Sequence, residues 1–238
     1  GYTDTTNIGF SRFTAAQFAA SQPGSVASLG SCAVYNISLG KVNNPVQPVA
    51  LDAGAAINEQ GPVLSTSIPF ANGVYNASTD YRSSALTPGT YTFAGSGGRD
   101  IGSFKAQLAI AGANGGFAWS TSDNKAAATR SQGVTVTWTA NALNNAASYV
   151  QISGTSVTIL SGSTLGAVFY CSAPASAGQF TVPASVLMAL PQTPAGDLAS
   201  RSSLTAGLFL FPQTFTGDNI DLGLINAFVS SSSQFNYQ

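Results

Sequence analysis

The chain has no histidine. That absence removes most of the chemistry its other residues could join. A Ser-His-Asp or Cys-His nucleophile needs imidazole as its base, and His-containing zinc sites need it as a ligand. Serine is plentiful, but it would have to be activated by Lys41, Lys105 or Lys125, and no such pair is assigned. A glycosidase needs two facing carboxylates. Asp52 and Glu59 come nearest to a strand-borne pair, but Asp52, in LDAG, reads better as a turn cap or an Asx turn. In GDNID, Asp218 and Asp221 are close enough in sequence to suggest a weak calcium site. The segment lacks the alternating oxygen ligands and terminal Glu of a calcium loop, so a turn is expected and no metal is assigned. GSGG at 95–98 lacks the G-x-G-x-x-G spacing and reads as a loop, with Arg99 and Asp100 as a local pair. No catalytic residue and no cofactor follow from these residues, and the protein is expected not to be an enzyme.

Two features remain that could bind rather than react. Trp119, in FAWS, could offer an aromatic face to a sugar ring, with Tyr75, Tyr81 and Tyr149 as companions on one strip. Trp138 alternates with valines and reads as core. Asn36 and Asn76 stand in N-x-S sequons, whose use depends on the host. The two cysteines, Cys32 and Cys171, are too far apart for a C-x-x-C motif. A single disulfide is the first reading, as in exported proteins, and two buried thiols are the alternative.

The elements that must position these residues are strands. The 238 residues are 44% hydrophobic, enough for a real core, but only 7% charged, against about 25% in ordinary domains. The surface must therefore be made of Ser, Thr, Asn, Gln, Gly and Ala. With a net charge of −1 and scattered Lys and Arg there is no basic patch for nucleic acid. No apolar run is long enough to insert in a membrane as a helix. Low net charge also removes repulsion between copies. Strand-like runs recur between turn residues. They include 32–39, 49–57, 66–70, 90–94, 103–110, 134–139, 149–153, 157–160, 167–171, 179–182, 207–211 and 222–229. In VTVTWT, Val134, Val136 and Trp138 share one face, which is the period of a half-buried strand. The only helix candidate is the short FTAAQFAA at 13–20.

The segments LDAGAAI, LTPGTYTFAGSGGRDIGSF, VTVTWT, SYVQISGTS, FYCSAPASAGQFTVPASVLMALP and GDNIDLGLINA occur in that order. Over Cys32 to Val229 the chain resembles a family of secreted acidobacterial proteins rich in immunoglobulin-like or related β-sandwich modules. The resemblance implies export and fold and carries no activity.

The expected fold is all-β: two antiparallel β-sandwich modules, immunoglobulin-like or prealbumin-like, linked by a disulfide, with strand-like ends. The predicted division is an N-terminal extension 1–30, sandwiches over 31–112 and 113–229, and a serine-rich tail 230–238. The break falls at AGANGG, 111–116. The expected role is a non-catalytic extracellular or cell-surface structural protein, its export signal already removed. It would assemble with copies of itself into a filament by lending a terminal strand to a neighbour's sheet. Ile8, Phe10 and Phe13 at one end, and Phe235 and Tyr237 at the other, are the candidate donor residues. The alternative is an adhesin module that binds surface glycans or proteins, with Trp119 as its contact.

Overall fold

The computed structural model describes residues 2–14, 25–37, 48–81, 87–111, 117–121, 126–140, 148–160, 163–193 and 202–238. Almost every element in them is a strand. In chain order these are β1 (Tyr2–Ile8), β2 (Ser11–Arg12), β3 (Ser25–Leu29), β4 (Cys32–Ile37), β5 (Val49–Ala50), β6 (Ala56–Gln60) and β7 (Ser65–Ala71). Next come β8 (Val74–Tyr81), β9 (Gly89–Gly95), β10 (Phe104–Ile110), β11 (Phe117–Thr121), β12 (Ala127–Ala128), β13 (Val134–Ala140) and β14 (Tyr149–Leu160). The last are β15 (Ser163–Pro174), β16 (Gln179–Val182), β17 (Ser203–Phe209), β18 (Gln213–Phe215), β19 (Gly223–Ile225), β20 (Phe228–Gln234) and β21 (Asn236–Tyr237). Among the described residues there is one α-helix, α1 (Ala184–Met188), which starts after Pro183 and buries Val186 and Leu187. The expected helix at 13–20 lies outside the described residues except for Phe13 and Thr14, which are in no regular element.

Two six-stranded antiparallel sheets organise the chain. One runs β1-β8-β7-β6-β9-β10, the other β20-β17-β14-β15-β4-β3. A three-stranded sheet, β11-β13-β16, shares the core of the second. The expected alternation in β13 is present: Val134, Val136 and Trp138 are buried there together with Val150, Ile152, Phe169 and Leu204 of the six-stranded sheet. A smaller core gathers Phe10, Leu51, Ala53, Ile57, Ile68, Tyr75, Ile101 and Phe104 beneath the first sheet. Strand β10 alternates strictly between buried and exposed. Its Phe104 enters the smaller core, while its Leu108 and Ile110 enter the larger.

The chain crosses between these cores more than once, which the predicted linear division does not describe. Cys32–Ile37, expected to open the first unit, pairs with β15 and lies in the larger core. Phe215 and Ile220, from the second half, pack against the smaller core. The serine run expected as a tail is strand β20, paired with β17 through seven residues. Residues 112–116 of the expected break lie outside the described residues.

Two segments read as separate strands are one. Tyr149–Leu160 runs unbroken through Gly154. A Cβ at Gly154 would collide with the Tyr237 hydroxyl and the Phe169 ring, so this glycine marks a close approach and not a turn. The cysteines are joined. Cys32 and Cys171 face each other directly across β4 and β15, both buried, and close a loop of 139 residues. In the chain-entropy treatment such a loop contributes about 5 kcal/mol.

Candidate functional site

Asp52, Glu59 and Asp100, among the residues that suggested chemistry, are engaged by backbone and side-chain contacts. Asp52 accepts the Gly54 backbone N–H at 2.7 Å, the Asx turn expected of LDAG. Its own N–H donates to Asp100 Oδ2 at 3.0 Å, and its carbonyl accepts from Asp100 and Ile101. Gly54 sits at φ 113°, a backbone angle that favours glycine. The Arg99 guanidinium, 3.0 Å from Asp100, holds that carboxyl below its usual range, and the Asp52 backbone adds to the effect. Glu59 accepts from Thr6 Oγ1 at 3.0 Å. The Asp218 backbone docks on the first sheet: its carbonyl accepts Gly102 N–H, and Gly217 bridges to Phe104. Among the described residues no group of three or more His, Cys, Asp or Glu could hold a metal. The S-x-x-K spacings Ser38–Lys41 and Ser122–Lys125 lie outside the described residues.

Both ends of the chain are seated on the chain's own sheets. At the N-terminal end, β1 pairs antiparallel with β8 over seven residues, as the outermost strand of its sheet. The side chains of Asn7 and Asn76 are hydrogen-bonded. Ile8 is half-buried against the smaller core. Phe10 plugs that core, edge-on to Phe104 at 5.2 Å and to Tyr75 at 6.4 Å, and its carbonyl accepts Leu51 N–H. Phe13 is 47% exposed, so it is no part of this plug. At the other end Phe235 and Tyr237 are buried in the larger core. The Tyr237 hydroxyl donates to Ser203 O at 2.8 Å, its backbone N–H donates to Thr193 Oγ1 at 2.6 Å, and its carbonyl accepts Thr193 N–H at 2.8 Å. Burial pushes the Tyr237 phenol far above its ordinary range.

The predicted aromatic strip does not form. Tyr75 is fully buried, its hydroxyl donating to Gly54 O and accepting from Ala53 N–H. The Tyr81 side chain lies outside what is described. Tyr149 sits in a different row, stacked on Phe209, which stacks on Phe228 across three adjacent strands. Trp119 stands apart from all of these. It is half-buried, and its Nε1–H donates to Ser231 Oγ at 2.6 Å. Ser231 was missed because a serine run carries no apolar period and reads as a tail. Among the described residues no helix is long and apolar enough to cross a membrane. No protein-family model matches the chain, and no curated protein matches it.

Proposed function

We propose that the protein is a non-catalytic extracellular structural subunit, made of two β-sandwich modules, that associates with its own copies by exchanging the N-terminal strand. The observation that carries this reading is how β1 is attached. It is an outermost strand, held mainly by a backbone ladder to β8, with the Thr6–Glu59 and Asn7–Asn76 side-chain bonds and with Ile8 and Phe10 packed on the smaller core. A backbone ladder is indifferent to which copy supplies the strand, so an identical segment from a neighbour can take the same place. Exchange that passes head to tail gives an open chain of subunits. The low charge and the buried disulfide support an exterior setting. The C-terminal segment is the weaker donor, since Tyr237 is bonded on both its backbone and its hydroxyl.

Thr6 and Ala77 face each other across β1 and β8. A Thr6→Cys, Ala77→Cys protein, oxidised and run on a non-reducing gel, reads out which copy supplies β1. A ladder of covalent oligomers is expected. Bands at the monomer alone would overturn strand exchange.

A further inference from the structure

We propose that the cleft between Trp119 and the serine face of β20 is a binding site for a neutral saccharide. The reasoning starts from a mismatch in the strand pattern. Directly opposed residues on paired antiparallel strands point to the same side of the sheet. On β17, Leu204, Ala206 and Leu208 face the larger core and are fully buried. Their partners on β20 are Ser233, Ser231 and Val229. The row that closes the core therefore passes from leucine and alanine to serine within one strand. Both serines are exposed. A side chain facing a core but left open to water marks a gap in that core.

Across the gap stands β11, the outermost strand of the three-stranded sheet. Phe117, Trp119 and Thr121 alternate on its inner side; Phe117 and Thr121 are buried, while Trp119 keeps part of its surface open. The space between has a volume of about 320 Å³, and its lining includes Trp119, Thr121, Ala126, Ser231, Ser233 and Gln234. That is at the small end of the range for ligand sites. Indole Nε1–H donates to Ser231 Oγ, so the indole is fixed and the Ser231 hydroxyl keeps its own hydrogen to donate.

The chemistry of this lining selects the ligand. Among the described residues that line the cleft no side chain is charged, so none of them compensates an anion or a cation. Hydroxyls and an amide both donate and accept, which matches a ring of sugar hydroxyls. The indole offers an apolar surface for the C–H face of a pyranose. This goes beyond strand exchange, which uses the other six-stranded sheet, and the two stand or fall separately.

The test titrates the full-length protein with cello-, xylo-, malto- and manno-oligosaccharides and follows tryptophan emission. Saturable change with at least one of them is expected, with a dissociation constant in the ~mM range. Trp119→Ala and Ser233→Leu should each weaken it by roughly tenfold or more. Ser233→Leu extends the apolar row and should leave the unfolding midpoint unchanged or raise it, which separates lost binding from lost fold. No saturable change with any of the four up to about 10 mM, or a Ser233→Leu protein that binds as tightly as its parent, would overturn the site.

Discussion

The two ends of the chain are both strands on the chain's own sheets, yet they are held by opposite means. β1 carries a ladder of seven register partners, two side-chain hydrogen bonds to Glu59 and Asn76, and, just past its end, one aromatic, Phe10, at 8% exposure. β21 has two register partners, but brings two aromatic rings, 5.3 Å apart, into the middle of the larger core. The first attachment is extensive and generic. The second is short and specific, because glycine at 154 leaves the space that the Tyr237 hydroxyl and the Phe169 ring occupy. A ladder at a sheet edge can open without disturbing what lies beneath it. A ring under three hydrogen-bonded contacts cannot leave without opening the core.

The largest effect should come from the end with fewer backbone pairs. Tyr237→Ala removes a fully buried ring and the hydroxyl that donates to Ser203 O, while the backbone bonds to Thr193 can stay. The expected loss is about 3–5 kcal/mol, spread over the whole larger core. Chemical denaturation should show a lower midpoint with one cooperative transition. A transition confined to the last few residues would put the two ends on the same footing.

Phe10→Ala should cost less, about 2–3 kcal/mol, and should cost it locally. Phe10 is bordered by Tyr75 and Phe104, which share the smaller core with Ile57 and Ile68. Hydrogen exchange should show β1 amides losing protection while β6 and β9 keep theirs. If β6 exchanges along with β1, the N-terminal strand is part of the core and cannot be a detachable one.

Parts of this contrast were legible in the sequence. The alternation of β13 predicts its buried face, because valine and tryptophan at period two have only one apolar side to offer. The ends of the chain read as strands from Ile8 and Phe10, and from Phe235 and Tyr237. What local pattern cannot carry is which sheet a strand joins. β4 follows the N-terminal segment in sequence, but its partner β15 lies more than a hundred residues on, fixed by the disulfide and by packing. β8, VYNASTDY, has polar residues that mimic a loop; its ladders with β1 and β7 show why it is extended. Trp119 stood out by type, but its hydrogen-bond partner Ser231 is 112 residues away in a run with no period to read. The Asx turn at Asp52 needed no tertiary information, since its donor is two residues along the chain.

The smallest effect is a pH dependence that also separates the ends. Tyr237 is buried with its phenol pushed far above the ordinary value, and Tyr75 is shifted the same way, chiefly by burial. In the unfolded chain both would ionise near pH ~10. The folded state holds the protonated form, so their contribution is fully present below that pH and is lost as the pH rises above it. Stability should therefore be level through neutral pH and fall above pH ~10 by roughly one kcal/mol per pH unit for Tyr237, with Tyr75 adding in the same direction. Tyr237→Phe keeps the ring and removes the ionisable group, at the cost of the hydrogen bond to Ser203 O. Its midpoint at neutral pH should be slightly lower than the parent's, and its alkaline slope shallower. Tyr75 would then account for the slope that remains, and it lies beside Phe10 and opposite Ile8 in the N-terminal ladder. In the Tyr237→Phe protein, phenolate absorbance rising together with the loss of β1 protection would tie the remaining slope to detachment of the N-terminal end. An unchanged alkaline slope in Tyr237→Phe would mean that the phenol is not what the core is protecting, and the distinction between a ladder and an anchor would have to rest on packing alone.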